Sequence, residues 1–277
     1  MILITGATGN LGRPLVAELA AKGAKVRALT RTPATTRFPD GVEACDSARP
    51  DFDGVTALLL NLAGIQGRPG ALLDSARAAG VRRGVTLSSL VVADDPDAGR
   101  GSTAAIHQEL EEAVETAFPE WTHLRPGAFA SNALQWKPQL QASDVVRGPY
   151  ARSSTAPIDD ADLAAVAVRA LLDDELIGQK PSLTGPEGLT AAQQVEILGQ
   201  VLGRPLRYEE ITPEAAKQAM LSQNSWVPEA AIDSLLSYLA RTVGRPALVT
   251  GEVERILGRP ARTYAQWAAD HAAAFQN

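Results

Sequence analysis

The stretch ILITGATGNLG, residues 2–12, decides the fold of this 277-residue chain. A short apolar run is followed at once by Gly6, Gly9 and Gly12, which stand three residues apart, and helical periodicity then continues to Lys22. In a strand–turn–helix unit, the first glycine permits a tight turn, the second lets the backbone approach a pyrophosphate, and the third allows close packing of the helix. The helix N-terminus directs N–H groups at the phosphates. The stretch predicts a dinucleotide-binding turn, and a glycine-rich turn without a ligand is the alternative.

Strand and helix patterns alternate through the first half of the chain. The continuous apolar segment 54–64 is typical of a strand that is buried on both faces of a parallel sheet. Such alternation with short connections predicts an α/β fold, a Rossmann-type doubly wound parallel sheet. Further strands are expected at 24–30, 41–46, 84–92 and 121–129, and helices at 10–22, 68–80 and 104–118.

The second half of the chain is mostly helical. A helix is expected at 159–174, where Asp159, Asp160 and Asp162 would cap the free N–H groups rather than bind a cation. A strand is expected at 181–186, and 204–211 is the strand-like run among the helices that follow. We expect a smaller, mostly helical C-terminal substrate domain. The predicted division gives residues 1–130 to the dinucleotide domain with 155–187 returning to it, and 131–154 with 188–277 to the substrate side.

The composition excludes several functional classes. The net charge is -6 and no basic stripe is present, so general binding of nucleic acid is not expected. No apolar run of about 18 residues could span a membrane, and the first strand begins too early for a signal peptide, so we expect a cytoplasmic protein. One cysteine and three scattered histidines offer neither a disulfide nor metal-ligand spacing. We expect a small-molecule substrate and no metal, and leave a homodimer open.

The end of the second predicted strand indicates which dinucleotide is bound. An NAD site usually carries an acid there, which accepts hydrogen bonds from the ribose. This chain has Arg31 instead, nineteen residues after Gly12, with Arg13 and Arg37 as potential companions. A guanidinium suits a 2′-phosphate, which it can bind through two charge-assisted hydrogen bonds. The sequence therefore favours NADP(H), and an exposed strand-end arginine without a ligand is the alternative.

The glycine motif and several further segments make the resemblance to a known family specific. The glycine motif, RALTR at 27–31, LSS at 87–89 and THLRPGAF at 122–129 together resemble the NmrA-like branch of the atypical short-chain dehydrogenase/reductase superfamily. Residues 183–208 and 257–275 also resemble bacterial members, so the similarity covers nearly the whole chain. It implies a Rossmann-type NADP(H)-binding domain, a C-terminal substrate domain and a cleft between them.

The resemblance also implies a role for individual positions. Arg31 would hold the 2′-phosphate and Asp46 would lie near the adenine. Pro126 and Phe129 would approach the nicotinamide. The remaining positions would line the pyrophosphate (Gly6, Thr8, Gly9, Asn10, Leu11 and Gly12) and the ribose (Asn61, Leu62 and Ala63).

The chain departs from the superfamily at the catalytic positions. Reductases of this type usually carry a serine and Tyr-x-x-x-Lys, in which the tyrosine donates a proton. Ser88 and Ser89 are present, but Thr103 stands at the tyrosine position and His107 at the lysine position. His107 could donate or orient a proton, and a helix-surface histidine is the alternative.

We expect an NADP(H)-dependent oxidoreductase that reduces a carbonyl, enone or quinone-like molecule, with Ser88, Ser89 and His107 as the candidate catalytic residues. Two other functions remain open. One is a non-catalytic NADP(H)-sensing regulatory protein, which the missing tyrosine favours. The other is an isomerase, epimerase or cyclase that uses the same pocket.

Overall fold

The computed structural model of the protein describes residues 1–65, 69–94, 99, 102–223 and 229–276. Its first part alternates strands and helices. The elements are β1 (Ile2–Ile4), α1 (Gly12–Ala21), β2 (Val26–Thr30), β3 (Val42–Asp46), β4 (Ala57–Asn61), α2 (Gly70–Ala78), β5 (Arg83–Leu87), α3 (Val91–Asp94), α4 (Thr103–Ala117) and β6 (Glu120–Pro126), with a 3-10 turn at Leu62–Ile65.

The second part is richer in helix. Its elements are α5 (Lys137–Ala142), β7 (Val145–Gly148), β8 (Ser154–Thr155), α6 (Asp160–Leu172), β9 (Ser182–Leu183), β10 (Leu189–Thr190), α7 (Ala191–Leu202), β11 (Arg207–Glu210), α8 (Pro213–Gln223), α9 (Glu229–Thr242), α10 (Glu252–Leu257) and α11 (Tyr264–Asp270), with 3-10 helices at Ala130–Trp136 and Ala272–Phe275.

The central sheet confirms the predicted fold class. In the described part of the chain, seven strands lie in the order β3-β2-β1-β4-β5-β6-β9, and every adjacent pair is parallel. The chain adds β2 and then β3 on one side of β1, and it adds β4 and the later strands on the other side. The direction of strand addition therefore changes at β1. Ligands of open parallel sheets bind at such a switch point, outside the carboxyl ends of the strands.

Alternate residues of the central strands face opposite sides of this sheet. Ile2 and Ile4 of β1 pack in a core with α1 and α6, whereas Leu3 packs in a second core with α2 and α4. In β4, Leu59 belongs to the first core, and its neighbours on either side belong to the second. Both faces are therefore covered, which explains the uninterrupted apolar run of β4.

Two predicted elements differ from the structure. The strand expected at 84–92 ends at Leu87, and the short helix α3 follows it, with the Val91 N–H donating to the Ser89 hydroxyl oxygen across 3.4 Å. The helical region after 188 begins with the two-residue strand β10, which pairs with β8, and Thr190 then caps α7 in a capping box with Gln193. No strand was expected at β7 or β8, which pair with the distant strands β11 and β10.

The C-terminal part returns to the sheet. Val253 and Ile256 of α10 pack in the core that α1 and α6 share, although the predicted domain division gives this segment to the substrate side. The division remains a prediction, and this packing favours assigning α10 to the dinucleotide domain. Around α11, Tyr264 and Trp267 lie in a third core, to which α7 contributes.

Acidic residues at the start of α6 bind the segment that joins α10 to α11. Asp159 is the N-cap and accepts from the Ala161 N–H, as the sequence predicts. Its carboxylate also accepts from Arg262 Nε at 2.5 Å. The buried Asp162 accepts from the Arg262 backbone N–H at 2.6 Å and pairs with the guanidinium of Arg259 at 2.7 Å. The cations that meet these acids are therefore arginines of the chain itself.

None of the helices that the structure describes has both the length and the apolar character needed to cross a lipid bilayer.

Candidate active site

The glycine-rich turn lies between β1 and α1, at the switch point of the sheet. Gly6 has a left-handed backbone with φ +65°, and its carbonyl accepts from the Gly9 N–H at 3.0 Å. A Cβ at Gly12 would lie 2.1 Å from the Gly6 oxygen, so the turn and the helix could not approach this closely with any other residue there. Gly9 is exposed, which leaves its backbone open to a ligand.

The other predicted pyrophosphate residues differ in accessibility. Thr8 and Asn10 are exposed beside Gly9, whereas the Leu11 side chain is buried in the core shared with α1. Leu11 could therefore present only its backbone to a dinucleotide. Leu11 is the N-cap residue of α1, and because its aliphatic side chain cannot accept a hydrogen bond, it does not cap the N–H groups at the start of the helix.

The turn after β4 packs directly against the glycine-rich turn. The Asn61 N–H donates to the Thr5 hydroxyl oxygen at 2.7 Å, and the Asn61 side-chain oxygen accepts from the Ala63 N–H at 3.0 Å. A Cβ at Gly64 would lie 2.3 Å from the Gly6 nitrogen and 2.8 Å from its Cα. Residues 61–64 thus lie in close backbone contact with Gly6. Gly64 was not predicted as a site residue, although a glycine shortly after a buried strand is a signal of close backbone approach.

The predicted 2′-phosphate and adenine positions lie at the neighbouring ends of β2 and β3. Thr30 pairs with Asp46 in the parallel register, and Arg31 follows directly. Arg31 and Arg13 are exposed, and within the described residues their guanidinium groups make no hydrogen bond or ion pair. Among the described residues, Arg37 donates only to the Ala34 carbonyl, at 3.3 Å. Exposed guanidinium groups without carboxylate partners are available to an anion.

The two candidate serines at the end of β5 have different environments. Ser88 is buried, and its hydroxyl donates to Glu111 Oε1 at 2.5 Å. Ser89 is half-buried, and its oxygen accepts the long contact from the Val91 N–H. A hydroxyl has one proton to donate. The Ser88 proton is therefore used within the protein, whereas the Ser89 hydroxyl has no acceptor among the residues that the structure describes.

Glu111 is the centre of an ionic cluster that the sequence did not predict. Its carboxylate accepts two hydrogen bonds from Arg125, at 2.9 and 2.6 Å, besides that from Ser88, and Lys180 lies 3.6 Å away. Burial disfavours the charged form of Glu111, but the hydrogen bonds from Arg125 and Ser88 outweigh this, and the pKa of its carboxyl lies below the ordinary value. This cluster fixes α4 to β5 and β6.

The cluster continues through His123, which is fully buried. Its Nδ1 lies 2.7 Å from the Thr86 hydroxyl and its Nε2 lies 3.2 Å from Glu115. Ligand atoms of Glu111, Glu115 and His123 all lie within 4.8 Å of one another, a grouping that linear spacing could not reveal. The ammonium of Lys180 already lies 2.7 Å from Glu115 and supplies a cation there. A cavity of about 400 Å³ opens beside these side chains and does not include the predicted dinucleotide residues.

His107 lies one helical turn before Glu111 on α4. Its ring is partly buried, and its Nδ1 is inaccessible to solvent and has no hydrogen-bond partner within the described part of the chain. Burial lowers the pKa of His107, and the nearby charge of Glu111 only partly opposes this. The imidazole is therefore neutral near pH 7 and has a ring nitrogen to satisfy. Thr103, one turn earlier, is exposed.

The last predicted positions lie at the end of β6. Pro126 is buried and its carbonyl accepts from the Leu90 N–H at 2.9 Å, whereas Phe129 is half-buried and forms a bridge with Ile158. Because the sheet is parallel, the ends of β1, β4, β5 and β6 share one edge. The structure thus brings the glycine-rich turn, the Asn61 turn, the two serines and Pro126 to the same edge of the sheet.

Comparisons with known proteins agree with this arrangement. The model of the NAD(P)H-binding family matches residues 6–174. A (4-alkanoyl-5-oxo-2,5-dihydrofuran-3-yl)methyl phosphate reductase of Streptomyces griseus is 39% identical and covers 99% of both chains. An NAD(P)H azoreductase of Xenophilus azovorans is 31% identical over 99% of both chains. An NADPH-dependent quinone oxidoreductase of Escherichia coli, solved with NADPH, has the same fold with a TM-score of 0.75, at 23% identity over 98% of this chain and 99% of that one.

Proposed function

This chain belongs to the NAD(P)H-binding family and is an NAD(P)H-dependent oxidoreductase, and we propose that it uses NADPH to reduce a conjugated carbonyl compound, an enone or a quinone. The proposal rests on which side chains lie at the carboxyl edge of the sheet and on whether they have partners. The guanidinium of Arg31, which has no partner among the described residues, follows β2, where a 2′-phosphate would lie. Ser89 and His107, but no tyrosine–lysine pair, occupy the proposed catalytic positions.

The residues fit a dinucleotide. The turn from Gly6 to Gly12 offers an open backbone surface at Gly9, against which a pyrophosphate would lie. Asn61, Leu62 and Ala63 would contact the ribose, Asp46 the adenine, and Pro126 with Phe129 the nicotinamide. These contacts are inferred from position. When bound, the nicotinamide supplies the hydride.

Arg31 supports a preference for NADPH. A guanidinium gives two parallel hydrogen bonds to a phosphate, and such charge-assisted bonds are stronger than neutral ones. No carboxylate in the described part of the chain competes for Arg31. An acid, which would select the free ribose hydroxyl of NADH, is absent at the end of β2.

The catalytic groups support a conjugated acceptor. Hydride addition to a simple ketone creates a strongly basic alkoxide, which a positioned acid must protonate. Hydride addition to the β-carbon of an enone creates an enolate, whose charge is spread over oxygen and carbon and needs a weaker donor. The Ser89 hydroxyl and a neutral His107 are donors of that kind. They would bind the carbonyl oxygen, and solvent would deliver the final proton to carbon.

The named relatives support the same class of acceptor. The substrate name of the 39% identical reductase describes an unsaturated ring that carries an oxo and an alkanoyl group. The 31% identical relative is named for the reduction of azo compounds, another conjugated acceptor. Since both relatives match over nearly the full chain and are named as reductases, they favour catalysis over the sensing and isomerase alternatives.

The test is a measurement of NADPH oxidation at 340 nm with enones, quinones, azo dyes and saturated ketones. We expect oxidation with the conjugated compounds, none with saturated ketones, and a kcat/KM for NADPH about tenfold or more above that for NADH. Arg31→Asp should remove or reverse this preference. Arg77→Asp, an equal charge change on exposed α2, is the matched control. Tight NADPH binding with no oxidation by any conjugated compound would refute the reductase proposal.

A further inference from the structure

Three threonine hydroxyls close the loop that follows β2. The Thr36 hydroxyl donates to the Thr32 carbonyl at 2.8 Å. The Thr36 oxygen also lies 3.1 Å from the Thr30 hydroxyl and 3.1 Å from the Thr32 hydroxyl. Thr30 is buried at the end of the strand, whereas Thr32 is exposed. The hydroxyl of Thr36 therefore joins the rigid strand end to the exposed part of the loop.

The hydrogen-bonding capacity of a hydroxyl assigns the donors. A hydroxyl has one proton and two lone pairs. Because the Thr36 proton goes to the Thr32 carbonyl, the Thr30 and Thr32 hydroxyls must both donate to the Thr36 oxygen. The Thr36 oxygen is then saturated within the loop, and the Thr36 N–H adds a bond to the Thr32 carbonyl at 3.0 Å. Thr36 is the centre of this hydroxyl cluster (Thr30, Thr32 and Thr36).

The hydroxyl cluster is adjacent in sequence to the two arginines proposed near the 2′-phosphate. Arg31 lies between Thr30 and Thr32, and Arg37 follows Thr36 directly. The Arg31 side chain has no partner in the described part of the protein, so only its backbone determines where the guanidinium can reach. Binding is stronger when the loop that carries the contact is already ordered, because less conformational entropy is lost.

We propose that Thr36 is a positioning residue that determines the selectivity for the 2′-phosphate by fixing the backbone on either side of Arg31. The proposal rests on the NADPH preference proposed above. NADH has a hydroxyl in place of the phosphate and makes no contact that depends on a fixed Arg31. Loss of the hydroxyl cluster should therefore weaken NADPH binding selectively.

The test compares dissociation constants for NADPH and NADH by calorimetry at constant ionic strength. Thr36→Val keeps the shape of the side chain and removes the hydroxyl, and we expect the Kd for NADPH to rise about fivefold to tenfold with the Kd for NADH unchanged within about twofold. Thr36→Ser restores the hydroxyl and should restore NADPH affinity. Thr35→Val is the matched control, because that exposed hydroxyl makes one long contact of 3.4 Å to the same carbonyl. Thr36→Ala repeats the test if Thr36→Val does not fold.

Two results would overturn this inference. One is an equal loss of affinity for both dinucleotides, which would indicate general loosening of the site. The other is an unchanged NADPH preference in Thr36→Val, while Arg31→Asp abolishes it; the NADPH proposal would then stand without the role of Thr36. Equal Kd values for both dinucleotides in the unmodified protein would refute both proposals.

Discussion

The Ser88 hydroxyl donates to Glu111 Oε1 across 2.5 Å, and both side chains are buried where β5 meets α4. This hydrogen bond gives Ser88 a different environment from Ser89, although the sequence analysis predicts the same role for both. Ser88 contributes its proton to a carboxylate that Arg125 also holds. Ser89, the next residue, keeps its proton for a ligand. This difference favours a structural role for Ser88 and supports the proposed catalytic role for Ser89.

The two serines should therefore respond in opposite ways to alanine substitution. Ser88→Ala removes a hydrogen bond to a buried carboxylate and should lower the free energy of unfolding by about 1.5–3 kcal/mol, with kcat changed less than about threefold. Ser89→Ala should leave stability within about 0.5 kcal/mol and lower kcat at least about tenfold, which corresponds to about 1.4 kcal/mol of barrier. Urea unfolding and steady-state kinetics measure both. The reverse pattern would assign catalysis to Ser88.

His107 should be needed in its neutral form. We expect His107→Ala to lower kcat at least about tenfold, whereas Gln108→Ala at the neighbouring, half-buried position of α4 should have little effect. Burial lowers the pKa of His107 below its ordinary value, so the imidazole should become charged at a lower pH than a free histidine does. A decrease in kcat that depends on His107 should therefore appear as the pH falls below the usual range for histidine. Unaltered kinetics in His107→Ala would return this residue to a structural role.

Gly64 should be required for binding of the dinucleotide as a whole. In Gly64→Ala, the new Cβ would lie 2.3 Å from the Gly6 nitrogen, so the glycine-rich turn must move. We expect Kd values for NADPH and NADH to rise together, by about tenfold or more, an energy of about 1.4 kcal/mol. The control is Gly70→Ala, where a Cβ would meet no atom within 4 Å. A selective loss of NADPH alone would argue against this role.

Stability should fall as the pH is lowered through the titration range of histidine. Burial lowers the pKa of His123 in the folded protein below 6.5, so below pH 6.5 the unfolded chain binds more protons than the folded one. The free energy of unfolding should decrease from pH 7 to pH 5, and His123→Gln should reduce this dependence. His107 contributes in the same direction and leaves a residual slope.

A second loss is expected below about pH 4.5. The pKa values of Glu111 and Glu115 are lowered in the folded protein, so their stabilising contribution is present above 4.5 and disappears as they become protonated. Urea unfolding at fixed ionic strength over this range checks both steps. A free energy of unfolding that is independent of pH between 7 and 5 would contradict the role of His123.

The parallel sheet could be predicted because its signal is local. Short apolar strands alternate with helices that show their own periodicity, and β1 with its glycines fixes the switch point. The strand expected to reach residue 92 was too long, because apolar character alone does not distinguish β5 from the helix α3 that follows. The two-residue strands β8 and β10 exist through pairing with each other, which no single segment reveals.

The site was predictable only where one residue type determines the geometry. Gly6 and Gly12 are required by the turn itself, whereas the role of Arg31 is predicted from its place after β2 and stays a prediction. Gly64 and Glu111 were missed because their importance comes from contacts with distant residues. The different environments of Ser88 and Ser89 depend on which face of β5 meets α4, and the sequence of β5 does not contain that information.

The packing of α10 against α6 has a consequence for how the chain matures in the cell. The core between the sheet and α6 is completed by Val253 and Ile256, and Arg259 and Arg262 reach the acids at the start of α6. During synthesis, the ribosome releases α6 well before any of these residues. Until they emerge, the part of this core that Val253 and Ile256 cover is exposed to solvent, and chaperones can bind such an apolar surface.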